Sequence, residues 1–206
     1  MSSPRLTSTS YAVLGLLGVQ PWSTYELTRQ MDRSLGRMWP RAASKLYEEP
    51  KKLVAHGYAS AATETIGRRP RTVYSITEEG RAALARWLAE PGEGPVLEFE
   101  ALVKLGFAEH GTREDALRTV AAARAWAAER NVVNREAARD YAAGEGPYQH
   151  RAAQGMIAGA FFTDLYAMVA RWADWAEEQI ETWPEDPGEA VADRRELEEI
   201  ARRADW

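Results

Sequence analysis

The sequence predicts a mainly α-helical protein, with an N-terminal winged helix-turn-helix followed by long C-terminal helices. Three observations predict this class. Three helical segments, a basic-tipped hairpin and a fourth helix follow one another within residues 1–90, which is the element order of a winged helix. Residues 91–97 include two prolines and two glycines, which is typical of a linker. Residues 98–206 have helical periodicity almost throughout, so we expect a helical domain there, which is also the candidate dimerisation and effector domain.

The first two helices are predicted from capping residues and periodicity. Leucine and valine recur at helical spacing over residues 7–19 after serine and threonine caps. Ser23 and Glu26 form a capping-box pattern, so a second helix begins there and continues to about Leu35.

The third helix, the candidate recognition helix, is predicted from Pro40 to Gly57. One polar stripe with a spacing of four, three and four residues is formed by Arg41, Lys45, Glu48 and Lys52. Beside it lie Ser44, Tyr47 and Lys51. Such a face suits the major groove of DNA, although a solvated helix face has the same pattern.

The wing is predicted as strands over residues 58–66 and 72–76, with residues 67–71 at the tip. Thr77 then caps a fourth helix. Arginines at a tip repel one another, whereas phosphate oxygens would satisfy them, so we expect DNA backbone contacts. The tip arginines are Arg68, Arg69 and Arg71.

The C-terminal half is predicted to be helical in four segments. The third segment is apolar around much of its circumference, so we expect a second subunit to cover part of it in a homodimer. The segments are 98–107, 112–143, 148–182 and 188–206.

Aromatic residues on the two long helices are candidates for binding a flat aromatic effector in a cleft. Packing in the core or at an interface is the alternative interpretation. The candidates are Trp126, Tyr166, Trp172 and Trp175.

Charge is unevenly distributed. Residues 1–90 have 13 lysines and arginines against 8 acids, a net charge of +5, and residues 91–206 have 13 against 23, a net charge of −10. A basic N-terminal part can approach nucleic acid while an acidic C-terminal part is repelled from it. The chain has no cysteine and no long apolar segment, so we expect a cytoplasmic protein without a membrane partner.

The residue inventory argues against an enzyme. The three histidines, His56, His110 and His150, are far apart in sequence, and no glycine-rich phosphate-binding motif is present. We therefore expect no catalytic residues, no metal site and no cofactor.

Several stretches resemble one known family. They are Leu6-Thr7 with Leu14-Gly15-Leu16-Leu17, Tyr25-Glu26-Leu27, Leu46-Tyr47 with Leu53 and Gly57, and the run from Arg69 to Gly80. Together they resemble the PadR family of bacterial transcriptional regulators, and residues 98–206 resemble its longer-tailed branch in architecture.

The resemblance implies a homodimeric, usually repressing DNA-binding protein that responds to a small, often aromatic molecule. By matching position, it puts Tyr47 and Lys51 of the recognition helix and Arg69 and Arg71 of the wing near DNA. We therefore expect a repressor that binds double-stranded DNA and is released by an effector. Two other hypotheses stay open: a winged-helix adaptor that binds a protein partner, and a helical small-molecule-binding protein that does not bind DNA.

Two departures from the family pattern have structural consequences. Thr24 stands where the family usually has glycine, and Pro50 stands where it has a core leucine. Because proline inside a helix costs about 3 kcal/mol, we expect a kink near residues 46–50 or a helix that restarts there.

Overall fold

The computed structural model describes residues 6–39, 47–66 and 69–205, with only the backbone described for Ile66 and Arg69. Contacts within the chain define two compact units, Met1–Pro95 and Val96–Trp206. The described helices are α1 (Ser8–Val19), α2 (Thr24–Ser34), α3 (Glu49–Ala55), α4 (Glu78–Leu88), α5 (Glu100–Leu105), α6 (Arg113–Ala142), α7 (Ala152–Glu181) and α8 (Arg194–Ala204). The strands are β1 (Trp22–Ser23), β2 (Ala59–Ile66) and β3 (Arg69–Ile76). The predicted order of helices and wing strands is confirmed.

The core of the N-terminal unit is built around α1. Burying the apolar side chains of several elements against one helix provides most of the hydrophobic stabilisation of a small domain. Ser23 caps α2 through the predicted capping box, and the side chain of Thr77 accepts a hydrogen bond from the Gly80 backbone at the start of α4. The largest fully buried apolar side chains are Leu14, Leu17, Leu27, Met31 and Leu53.

The sheet has the strand order β1-β3-β2, and all its pairings are antiparallel. The strand β1 was not predicted, because two residues are too few to establish an alternating pattern. It pairs with β3 at Val73 and Tyr74. The predicted start of the second wing strand at Thr72 is wrong, since β3 begins at Arg69. Pro70 is tolerated there because it lies beyond the residues that pair with β1.

Within the described residues, α3 begins at Glu49 and has Pro50 in its first turn. Proline is accepted at that position because the first backbone N–H groups of a helix have no partner inside the helix. The helix ends just before Gly57, as predicted, where a φ of +72° favours glycine. The predicted residues 40–46 lie outside the described residues.

The C-terminal unit is organised by α6 and α7, which have 30 residues each. They are antiparallel. Arg113, at the start of α6, donates to the Trp183 carbonyl just after α7, and Asn134 lies beside Thr163, with 2.9 Å between Nδ2 and Oγ1. Small residues let the two helices pack closely, among them Ala116, Ala123, Ala127, Ala173 and Ala176.

Two helix starts in this unit differ from the predicted ones. Residues 149–151 form a 3₁₀ turn, so α7 begins at Ala152 rather than Tyr148. The last helix begins at Arg194 rather than Gly188, because the side chain of Asp193 caps it by accepting from the Arg195 backbone. None of the helices in the described part of the chain is both long and apolar enough to cross a membrane.

Candidate nucleic-acid interface

The described residues include only part of the predicted DNA-binding set. Tyr47, Lys51 and Arg71 are described with their side chains, and for Arg69 the backbone alone is described. The other predicted contacts lie outside the described residues: Arg41, Ser44, Lys45 and Arg68.

The turn before α3 and the first turn of α3 each present one of the predicted residues to solvent. Tyr47 is 59% exposed. Lys51 lies one turn further along, and its Nζ is 3.0 Å from Glu48 Oε1. The hydrogen bond to Glu48 raises the pKa of Lys51 because it stabilises the charged amine. Because this ion pair is exposed and weak, a phosphate oxygen can replace Glu48 as the partner of Lys51.

The last residue of the polar stripe predicted for the recognition helix, Lys52, does not lie on an exposed face. Lys52 is mostly buried, with its Nζ 3.7 Å from Glu49 Oε1 and 3.3 Å from Ser10 Oγ. Ser10 in turn donates to Glu49 Oε2 at 2.6 Å and accepts from the Thr7 backbone N–H at 3.0 Å. This buried polar cluster joins the start of α3 to the start of α1. Sequence reasoning missed Ser10 and Glu49, because one serine in a helix and one acid in a charged run carry no periodic signal.

The placement of Arg71 at the wing tip is wrong. Arg71 lies within β3, opposite Glu64 in the register of the wing. Its guanidinium pairs with two carboxylates, Nη1 with Glu26 Oε1 at 3.0 Å and Nη2 with Glu64 Oε2 at 3.1 Å. The hydrogen bond to Glu64 and the charges of both acids raise the pKa of Arg71. The backbone N–H and the hydroxyl of Ser23 are the main cause of the lowered pKa of Glu26, and Arg71 adds to that effect.

Two side chains on the exposed face of α2, Tyr25 and Arg29, form a cation–π contact. Tyr25 lies in the first turn and is 66% exposed. The guanidinium carbon of Arg29 lies 5.8 Å from the centroid of its ring. A cation held over an exposed tyrosine gains little stability at the surface, so both side chains can exchange this contact for a phosphate.

In the C-terminal unit, Trp126 and Tyr166 contact each other and the other two ligand candidates lie elsewhere. The rings of Trp126 and Tyr166 meet edge to face with centroids 5.6 Å apart. Trp172 packs edge-on against Phe99, with centroids 5.4 Å apart. The indole N–H of Trp175 donates to Glu196 Oε2 at 2.9 Å.

Helix geometry explains this separation. Nine residues at about 100° per residue place Trp175 on the face of α7 opposite Tyr166. Tyr166 lies on the buried side with Val169 and Ala173. A single cleft lined by all four predicted residues is therefore not formed in the described C-terminal unit. The part of the chain that the structure describes also brings together no group of three or more histidines and acids that could hold a metal ion.

Comparison with known proteins connects this geometry to a family. Residues 13–86 match the family model described as the transcriptional regulator PadR-like family. A probable transcriptional regulator of Mycobacterium tuberculosis is 39% identical over 82 residues, which cover 39% of this chain and 43% of that protein. The negative transcriptional regulator PadR of Bacillus subtilis is 31% identical over 108 residues, covering 52% of this chain and 59% of that protein. The matches thus span about half the length of these relatives.

Solved structures extend the likeness to both units. Bacillus subtilis PadR in complex with operator DNA has a TM-score of 0.69 at 21% identity, covering 85% of this chain and 98% of that one. The same protein in complex with p-coumaric acid has a TM-score of 0.68 at 19% identity, covering 85% of this chain and 99% of that one. At these identities the likeness shows the fold, and it confirms the predicted class.

Proposed function

Because residues 13–86 match the PadR-like family of transcriptional regulators, we propose that the protein is a member of that family and acts as a cytoplasmic, homodimeric repressor. It binds a pseudo-palindromic operator with one winged helix per subunit. A small aromatic effector bound in the C-terminal unit releases it from DNA.

One observation carries this proposal: a matched PadR-like domain that exposes Tyr47 in the turn before α3 and Lys51 in the first turn of α3. Tyrosine and lysine at that position suit contacts to base edges and phosphates in the major groove. The net charge of +5 on residues 1–90 favours the approach of this unit to a polyanion. We assign DNA contacts to both residues and to Arg41, Ser44, Lys45, Arg68 and Arg69.

Exposed apolar side chains of the C-terminal unit support the homodimer. Met156, Ile157 and Phe161 of α7 are 66%, 70% and 58% exposed, and Val133 of α6 is 63% exposed. Apolar side chains clustered on one unit commonly mark a protein interface. A dimer with two basic units also matches the two half-sites of a palindromic operator.

The effector proposal rests on Trp126 and Tyr166. Trp126 is 40% exposed and contacts the buried ring of Tyr166, so a flat ring can stack on its open face. Bacillus subtilis PadR has been crystallised with p-coumaric acid, which suggests a phenolic acid as the first probe. Trp172 and Trp175 serve as control positions for substitution, because they do not contact Trp126 or Tyr166.

The decisive experiment titrates the full-length protein into fluorescent duplex from its own upstream region at two salt concentrations, with a scrambled duplex as competitor. Tight, sequence-preferring binding that weakens steeply as salt rises supports the proposal, because each neutralised phosphate releases a counterion. Tyr47→Ala and Lys51→Ala should weaken it. Absence of binding to either duplex at low salt refutes the repressor function and favours the adaptor or the helical ligand-binding protein.

The effector part has its own experiment. p-Coumaric acid should quench tryptophan fluorescence and weaken operator binding, and Trp126→Phe should reduce the quenching more than Trp175→Phe does. Quenching without any change in DNA affinity would show a ligand site that does not regulate DNA binding.

A further inference from the structure

We infer that Arg71 is a positioning residue that fixes the wing against α2, and that it does not contact DNA phosphate. The inference rests on the proposed DNA-binding function and changes the role of one residue in it. Three observations lead to it: the position of Arg71 in the strand, the occupation of its guanidinium, and the way its partners join the wing to the rest of the unit.

The side chain of Arg71 is directed by its strand. Residues two apart in a strand point to the same side of the sheet, and Val73, two residues further on, is buried in the core. Arg71 therefore extends from the helix-covered face of β3, where it reaches Glu26 of α2. Its direct neighbour on β2 is Glu64.

The guanidinium is already occupied on both of its outer nitrogens. One carboxylate accepts from Nη1 and another from Nη2. The remaining nitrogen, Nε, is buried and has no acceptor among the described residues. Two carboxylates and one guanidinium carry a net charge of −1, so a phosphate approaching Arg71 meets repulsion from both acids. An arginine poised for DNA would instead present its fork to solvent.

The partners of Arg71 connect three elements. Glu26 accepts from the backbone N–H and the hydroxyl of Ser23 in the capping box of α2. Ser23 is also part of β1, where it pairs with Val73 of β3. The wing is thus attached at Val73 by the β1 pairing and two residues nearer its tip by Arg71. Two attachment points along one strand set the direction in which the hairpin leaves the unit.

The test compares Arg71→Lys and Arg71→Gln with Arg68→Gln, whose position lies between the two wing strands in sequence. Lysine keeps the charge but has one nitrogen instead of a planar fork, so it can replace a phosphate contact but cannot reproduce the two bonds that Arg71 makes from separate nitrogens. For a positioning residue, both Arg71 variants should lose affinity for the operator by a similar factor, about 2- to 30-fold, at every salt concentration. Arg68→Gln should instead lower the slope of log affinity against log salt by about 0.9.

A second readout needs no DNA. The thermal unfolding midpoint should fall in Arg71→Gln and in Glu26→Gln, and the double variant should fall by less than the sum of the two, because these residues share the contact that joins the wing to α2. Rescue of affinity by Arg71→Lys, together with a reduced salt slope in Arg71→Gln, would overturn the inference. Failure of the wild-type chain to bind DNA would refute the proposed function alone. If the effects of the two single variants on unfolding are additive, the inferred attachment of the wing to α2 is refuted, whether or not the chain binds DNA.

Discussion

The backbone carbonyl of Tyr58 occupies the space that a side chain on Gly80 would need. A Cβ on Gly80 would overlap that oxygen and would lie 2.9 Å from its carbon. The same oxygen accepts the Thr77 backbone N–H at 3.1 Å, so the start of α4 is held directly against the residue before β2. Only glycine permits this approach between the last helix of the winged unit and the first strand of the wing.

Gly80→Ala should therefore destabilise the N-terminal unit by about 3 kcal/mol, since backbone must move to relieve the contact. Chemical denaturation followed by circular dichroism measures the change. Gly15→Ala is the matched control, because a Cβ there meets nothing within 4 Å. In the interior of α1 that change should stabilise by about 0.5–1 kcal/mol. Equal effects of the two substitutions would contradict the close approach.

Ser10 is predicted to be the residue through which α1 holds the start of α3. Ser10→Ala removes the donor to the buried Glu49 carboxylate and the acceptor for Lys52. Buried groups that lose a hydrogen-bond partner cost about 1–3 kcal/mol, so the free energy of unfolding should fall by that amount. The exposed Ser60 offers a matched control, since Ser60→Ala should stay within about 0.5 kcal/mol of the wild type. A neutral Ser10→Ala would show that water replaces the lost contacts.

Because the hydrogen bond between Ser10 and Glu49 joins α1 to the buried side of α3, the same variant bears on function. Loosening α3 from α1 should also weaken operator binding without changing its salt slope, since no phosphate contact is lost. Ser60→Ala should leave both the affinity and the slope unchanged.

Local signals in the sequence were enough to predict most of the fold. The capping residues Ser23, Thr77 and Thr112 fixed the starts of three helices, because a side-chain cap depends only on neighbours within three residues. The strand β1 was not predicted, because a two-residue strand is defined only by its hydrogen bonds to a partner strand. The start of β3 was also misplaced, because a proline such as Pro70 is typical of a turn. A strand accepts proline only where the neighbouring strand does not need its N–H, and this depends on where β1 ends.

The candidate site was harder to predict, because side-chain partners come from distant parts of the chain. Arg71 lies 45 positions from Glu26 in sequence, and Ser10 lies 39 positions from Glu49. An arginine near a hairpin tip therefore looked like a free cation, and a lysine on a polar stripe looked solvent-exposed. Trp175 was grouped with Tyr166 by proximity in sequence, although half a helical turn separates their faces.

Acid should weaken the N-terminal unit partly through Glu26. Hydrogen bonds from Ser23 hold the pKa of this carboxyl below its ordinary value of 4.5 in the folded chain. The unfolded chain then binds more protons than the folded chain in this range, so the contribution is fully present above the ordinary value. It is lost as the pH falls from 4.5 through the lower pKa of the folded state.

The variant Glu26→Gln keeps an acceptor for Ser23 and removes the titration. Its free energy of unfolding should lie below that of the wild type at pH 7, and the gap should narrow as the pH falls below the ordinary carboxyl range. Denaturant unfolding at a series of pH values measures both. A gap that stays constant with pH would mean that Glu26 is no better stabilised as an anion in the folded chain than in the unfolded one.

The attachment of α8 is predicted to depend on the hydrogen bond between Trp175 and Glu196. None of the residues of α8 is buried, and its apolar members Leu197 and Ile200 are 55% and 41% exposed, so little hydrophobic burial holds this helix in place. Trp175→Phe keeps an aromatic ring against the core and removes the N–H donor. Amide hydrogen exchange over residues 194–204 should then become faster, while exchange in the middle of α6 stays as in the wild type.

Glu196→Gln is the control, because its amide oxygen still accepts from the indole and exchange should change little. Unchanged exchange in Trp175→Phe would mean that α8 is held by contacts other than this hydrogen bond.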